Sequence, residues 1–378
     1  MKSYECEIVS YMFAHGADQG TFELRATEIK GLLRFWFRTA LSSKLEDNIK
    51  GLKFIESYIF GDTSQKSKVI ISVDAKPSLK VPIQDKKLNL TGIPFPIDPI
   101  KYIAFGMYKN PKDTKMYRNP RDTQWNSYVD SGTFKINVEL FTSDDKEKEY
   151  IASILDNLFF LFSTFGGIGA KSDKGFGSFQ IKSIKYEPDK LKLKEDINNA
   201  VENIFKNSKE IFDSKKPKDI NFEAVNFKGL PSYPFLNLKK PETFGSIPLS
   251  NVNLNEALSK IGEQYYKFRR EVEKDGNFKS SYKNENSSYK AKRALLGLPI
   301  LYQQPRPTVT LNNSTGRKVS SLHMSLKKIN SNYYLFYVFL RAKICDGKLD
   351  ANGTKVTPSS DFVDLYNKFR KIWGVKDE

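Results

Sequence analysis

Five glycines within twelve residues, at 166, 167, 169, 175 and 177, constrain this chain more than any other feature. They begin where its most apolar segment ends. Residues 146–165 (KEKEYIASILDNLFFLFSTF) predict a helix buried on most sides, and residues 179–186 predict a strand. Between them lies FGGIGAKSDKGFGS, residues 165–178. Glycines permit positive φ and let another backbone come close, so this segment must either turn sharply or wrap something. A turn linking helix to strand is one reading. A plain turn does not need five glycines, and Lys171 and Lys174 add charge. A loop that tracks an RNA backbone is therefore the favoured reading.

The segment fails as a nucleotide loop. A Walker loop has glycine directly before Lys-Ser, and here Ala170 intervenes. The order helix, glycines, strand also reverses that of P-loop and dinucleotide folds. Lys174-Gly175-Phe176-Gly177 fits the first half of the RRM signature, but Ser178 stands where an aromatic belongs.

Charge points the same way. The 378 residues carry 61 Lys+Arg against 44 Asp+Glu, a net +17, which favours a polyanionic partner. Only twelve of the cations are Arg, and three of them fall at Arg25, Arg34 and Arg38. With Thr27 as a hydroxyl cap, a helix is expected through residue 41. On it Lys30, Arg34 and Arg38 recur at i, i+4, i+8, while Ile29, Leu32, Leu33, Trp36 and Ala40 face a core. No acid follows Glu28 until Glu46, so the cations lack partners on their own helix. A solvated face is the bland reading; phosphate contact is the one preferred. A second cationic stretch spans residues 108–125. It interleaves Lys109, Lys112, Lys115, Arg118 and Arg121 with Tyr108, Tyr117 and Trp125, a mixture suited to stacking single-stranded RNA or to a solvated insertion. Residues 276–293 invite the same two readings.

Two cysteines, Cys6 and Cys345, exclude a disulfide framework or a four-thiolate zinc site. Two histidines leave little for a metal centre. With no signal-like N-terminus and no 18-residue apolar run, a cytoplasmic protein with no membrane partner and no cofactor is expected. His15, three residues before Asp18, is the one catalytic candidate for metal-independent RNA cleavage. A turn shaped by Asp18 is the alternative.

Other elements are expected as strands at 5–13, 68–73, 100–107, 134–141, 319–329 and 333–343. Further helices are expected at 52–60, 253–274, 288–296 and 360–373. Strands and helices mix without strict alternation, so the class is α+β. Length predicts two or three domains, and falling apolar density places a boundary near residue 187, giving residues 1–187 and 188–378.

Five segments together resemble the RAMP superfamily, the repeat-associated RNA-binding subunits of CRISPR systems: GADQ (16–19), LRATEIKGLLRFWFR (24–38), the glycine segment, RALLGLP (293–299) and GRKVSSLHMSL (316–326). The resemblance is greatest to the first subunit of type III-B (Cmr) effector complexes. Thr27 stands where a Pro is common, and Phe37 replaces the second Trp of a pair. The resemblance implies two tandem ferredoxin-like, RRM-related domains with long loop insertions. It implies a non-catalytic subunit in antiviral defence that binds the 3′ region of the guide CRISPR RNA, and target RNA, beside other RAMP subunits. By motif position, Arg25, Lys30, Arg34, Arg38, Lys171 and Lys174 would face RNA, with Arg317 and Lys318 from the second half. Processing of CRISPR RNA by a RAMP endoribonuclease using His15 is the alternative activity.

Overall fold

A computed structural model describes residues 1–91, 96–109, 124–226, 230–238, 243–274, 290–298, 309–311, 318–345, 349–351 and 354–375. Strand β1 (Lys2–Ile8, KSYECEI) alternates as the sheet period demands, burying Tyr4, Cys6 and Ile8 and exposing Ser3, Glu5 and Glu7. It runs antiparallel to β3 (Ser131–Leu140) on one side, with Cys6 opposite Phe134. On the other side it pairs with β4 (Phe179–Ile181), with Cys6 opposite Ile181. Strand β2 (Val69–Ser78) lies outside β3, giving the order β2-β3-β1-β4. Helix α1 (Ala26–Leu45) follows β1, and α3 (Asp145–Phe165) follows β3. That is the ferredoxin-like plan.

The second half repeats it. Strands β5 (Phe244–Leu249), β6 (Leu322–Ile329) and β7 (Asn332–Phe339) form a sheet in the order β6-β7-β5. Helix α5 (Leu254–Lys274) follows β5, and α6 (Phe362–Trp373) follows β7. The β6–β7 hairpin closes through Asn330 and Ser331, both at positive φ (49° and 68°), the twist a two-residue turn requires. Short strands at residues 290–291, 309–311, 349–351 and 354–358 make a third, small sheet. The chain is α+β with tandem ferredoxin-like units.

Helix α2 (Ile49–Phe60) is capped by Asn48, whose side chain accepts the Gly51 N–H at 2.9 Å. Helix α4 (Lys190–Lys215) begins just after the boundary expected at residue 187. Its Leu193, Ile197, Val201 and Ile204 nevertheless join the first core, against α3 and α1. The two cores interlock: Phe13 and Phe176 enter the second, while Phe244, Phe336 and Val338 enter the first.

Several local expectations are corrected. Residues 100–107 are no strand. Asp98 accepts the Lys101 N–H at 3.0 Å and Pro99 fixes the first turn of a short helix, Pro99–Ile103. Helix α1 starts after Arg25 with no side-chain cap, so Thr27 does not cap it. The strand expected over 179–186 stops at Ile181, because the Tyr186 hydroxyl folds back to accept the Ile181 N–H at 2.8 Å. The helix expected over 288–296 is a 3₁₀ turn, Lys292–Leu296.

Candidate nucleic-acid interface

The glycine segment threads between the chain that continues β1 and the second sheet. Gly177, at φ +63°, could carry no side chain, since a Cβ would lie 1.8 Å from the Ile168 carbonyl oxygen. Gly169, at φ +89°, lies against Phe13, and a Cβ there would fall 2.5 Å from the Phe13 carbonyl oxygen. Backbone bonds follow: the Ala170 N–H reaches Phe13 O at 2.9 Å and the Gly177 N–H reaches Tyr11 O at 2.7 Å. The Ser178 hydroxyl donates to Gly175 O at 3.0 Å and accepts the Leu326 N–H of β6 at 2.9 Å. Close backbone approach thus accounts for Gly167, Gly169 and Gly177.

The same packing ties the segment to α1. The Gly169 N–H donates to Glu28 Oε1 at 2.9 Å. Burial pushes the Glu28 carboxyl above its usual range, against the Gly169 amide and the nearby Arg25 and His15. This clasp sets exposed Arg25 and half-exposed Lys171 on either side of one junction. Lys171 sits in the left-handed region, at φ 60°.

The remaining cations expected to face RNA are placed differently. Arg34 Nε lies 2.7 Å and Arg38 Nη1 2.8 Å from Glu56 Oε1 of α2, and Arg34 also donates to Gly61 O at 2.9 Å. The Glu56 side chain is 5% exposed, against 30% and 28% for the two arginines. The expectation of unpartnered arginines is corrected: two guanidiniums share one carboxylate and leave a surplus of one positive charge. Lys30 donates to Val69 O at 3.2 Å and is half-buried, which lowers its pKa. Lys174 is buried, with its Nζ 2.5 Å from Asp173 Oδ2 and over the Tyr265 ring at 5.0 Å. Burial opposes its charge, but Asp173 and Tyr265 outweigh it and hold the ammonium protonated. Its ammonium is not offered to solvent.

His15 Nε2 lies 2.5 Å from Ser127 O. A carbonyl can only accept, so Nε2 carries the proton. Asp18 accepts from Gly20 N at 2.8 Å and the Thr21 hydroxyl at 2.6 Å, and these hold its carboxyl below the usual range. Both groups serve the turn. Trp125 is half-buried against Phe13, Tyr108 and Tyr128. Lys318 exchanges backbone bonds with Leu298 and is half-exposed. Lys112, Lys115, Arg118, Arg121 and Arg317 lie outside the described residues.

Two groups escaped sequence reasoning, Glu56 and Lys327. His323, in the strand expected over 319–329, is buried beside Phe35 and Trp36, where burial lowers its pKa to about 4. Lys327 lies on the same strand. Fully buried, it donates to Phe179 O at 3.1 Å, Ser325 Oγ at 2.7 Å and Leu326 O at 3.0 Å. Burial drives its pKa well below the usual lysine range. Among the described residues no cluster of three or more His, Cys, Asp or Glu could hold a metal ion, and no helix is long and apolar enough to cross a membrane.

Comparison with known proteins adds a family to this geometry. The Cmr subunit Cmr1-2 of Pyrococcus furiosus is 23% identical over 184 residues, 48% of this chain and 95% of that protein. Cmr1-1 of the same organism is 28% identical over 260 residues, covering 67% of each chain. A chain in a cryo-EM structure of a type III-B Cmr-β complex bound to cognate target RNA has a similar fold. It is 14% identical, with a TM-score of 0.51 over 98% of this chain and 99% of that one. Residues 5–180, a little under half of the chain, match the RAMP superfamily.

Proposed function

We propose that this chain is a non-catalytic RNA-binding subunit of a type III-B Cmr effector complex in CRISPR antiviral defence. It grips the 3′ region of the guide CRISPR RNA, and target RNA, beside other RAMP subunits. One observation carries the reading. The Glu28–Gly169 clasp sets Arg25 and Lys171 at one junction, and further along α1 the Arg34–Arg38–Glu56 cluster keeps one surplus positive charge. On a chain of net +17 this supports phosphate contact from several directions. The similarity to Cmr1 subunits supports the assembly. Processing of CRISPR RNA by this chain gains no support from the site, because His15 and Asp18 both hold the turn. Fluorescence anisotropy with labelled single-stranded RNA tests the grip. Co-purification with the other Cmr subunits and guide RNA, followed by crosslinking, tests the placement.

A further inference from the structure

A cleft of about 390 Å³ opens beside the His15 turn, of a size suited to a small ligand. Its walls are Gln19, Leu79, Gln124, Trp125, Asn126 and Tyr128. Among the described residues no Lys, Arg, Asp or Glu lines it, and those that do line it suit neither a phosphate nor a metal ion. It offers aromatic surface and amides instead.

The aromatic side is held in place. Trp125 lies nearly parallel to Phe13 at 6.1 Å and edge-on to Tyr128. The Tyr128 hydroxyl accepts the Ile83 N–H at 3.2 Å. Half-exposed Leu79 completes the apolar wall. The floor is fixed by backbone bonds: Ser127 N–H to Gln19 O at 3.2 Å, Asn126 N–H to Met107 O at 2.9 Å, and His15 Nε2–H to Ser127 O. Above this rigid floor, the side-chain amides of Gln19, Gln124 and Asn126 make no hydrogen bond among the described residues. Each amide offers both a donor and an acceptor, the pairing a nucleobase edge presents.

We propose that this cleft takes one unstacked nucleobase of a single-stranded RNA. The base lies against the Trp125–Tyr128 wall, and the amides meet its edge. The proposal rests on the RNA-binding reading above and gives it a base contact where that reading has only phosphate contacts. His15 holds the cleft floor through Ser127 O and bridges to Phe22, in the turn that leads into α1.

Tryptophan emission tests this, with a short oligouridylate and an abasic oligonucleotide of equal length as probes. Uridylate should quench wild-type emission, and the abasic strand should bind through its phosphates without quenching. Trp125→Phe should lose the quenching while Trp36 and Trp373 continue to emit. The exposed double change Gln19→Ala/Gln124→Ala should weaken uridylate binding about tenfold and abasic binding not at all. Equal quenching by both strands, or undiminished quenching in Trp125→Phe, would overturn the cleft and leave RNA binding intact. No binding of either strand would overturn both.

Discussion

Glu56 Oε1 lies 2.7 Å from Arg34 Nε, joining α2 to α1 through a carboxylate that solvent barely reaches. Arg38 takes the same oxygen at 2.8 Å. Reversing the charge of either arginine would thus disturb the fold together with any RNA contact. Glu56→Gln should lower stability by about 1–3 kcal/mol, because two part-buried guanidiniums lose their shared partner. Urea unfolding measures it. An unchanged midpoint would mean that the trio contributes nothing to stability.

Glu147 of α3 is a second such joint. The Tyr58 hydroxyl donates to it at 2.7 Å, and Lys215 and Lys68 lie 2.7 and 3.2 Å away. Burial pushes its carboxyl up, but Lys215, Tyr58 and Lys68 outweigh that and hold it near 2, below the ordinary 4.5. The folded pKa is depressed, so its stabilisation is present above about pH 4.5 and lost as pH falls towards 2. Glu147→Gln should remove that part of the acid transition and lower stability at pH 7. Thermal melts across pH measure both effects.

His323 behaves differently, because burial, joined by the charge of Lys174, disfavours its protonated form. Around it stand Asp173 and Lys174 from the glycine segment, Phe35 and Trp36 from α1, and the backbone of Ser320. Its folded pKa, about 4, lies below the ordinary 6.5. The unfolded chain therefore binds the extra proton first, and stability falls from pH 6.5 down to 4 by up to about 1.4 kcal/mol per pH unit. His323→Gln should flatten the melting temperature over that window. The same slope in the variant would assign it to other groups.

Lys327 extends this to alkaline pH. Its folded pKa is depressed, so between that lowered value and the unfolded pKa of about 10.4 the unfolded chain holds a proton the folded chain lacks. Stability should rise with pH across that window, by up to about 1.4 kcal/mol per unit. Lys327→Met should abolish the rise. Chemical denaturation at several alkaline pH values reads the slope directly.

Much of the fold was legible in local chemistry. The alternation in KINVEL, the apolar run of α3 and the Gly61 stop of α2 each name their element, and the order of strands and helices yields the class. Asp98-Pro99 was a legible helix start masked by the apolar residues after it. The five glycines announced a crowded backbone. What crowds Gly169, the Phe13 backbone, lies more than 150 residues away and leaves no trace in spacing. Arg34 and Arg38 look unpartnered in sequence because Glu56 is supplied by another helix across a turn. Lys174 and Lys327 look like surface charges. Only the packing of α5 and β4 over them reveals burial, through Tyr265 above one and Phe179 against the other.

The most direct test of the account is the salt dependence of single-stranded RNA binding, for wild type and for Arg25→Glu/Lys171→Glu. Arg25 is exposed and Lys171 half-exposed, whereas Arg34 and Arg38 are tied to the buried Glu56 carboxylate. Wild-type affinity should fall with salt by about 0.7 log units per log unit for each phosphate neutralised. The double variant should bind at least about tenfold more weakly, equally across sequences, with a slope shallower by about 1.4, while melting as wild type does. Wild-type affinity and an unchanged slope in the double variant would contradict the assigned face, and no binding by the wild-type chain would contradict the function.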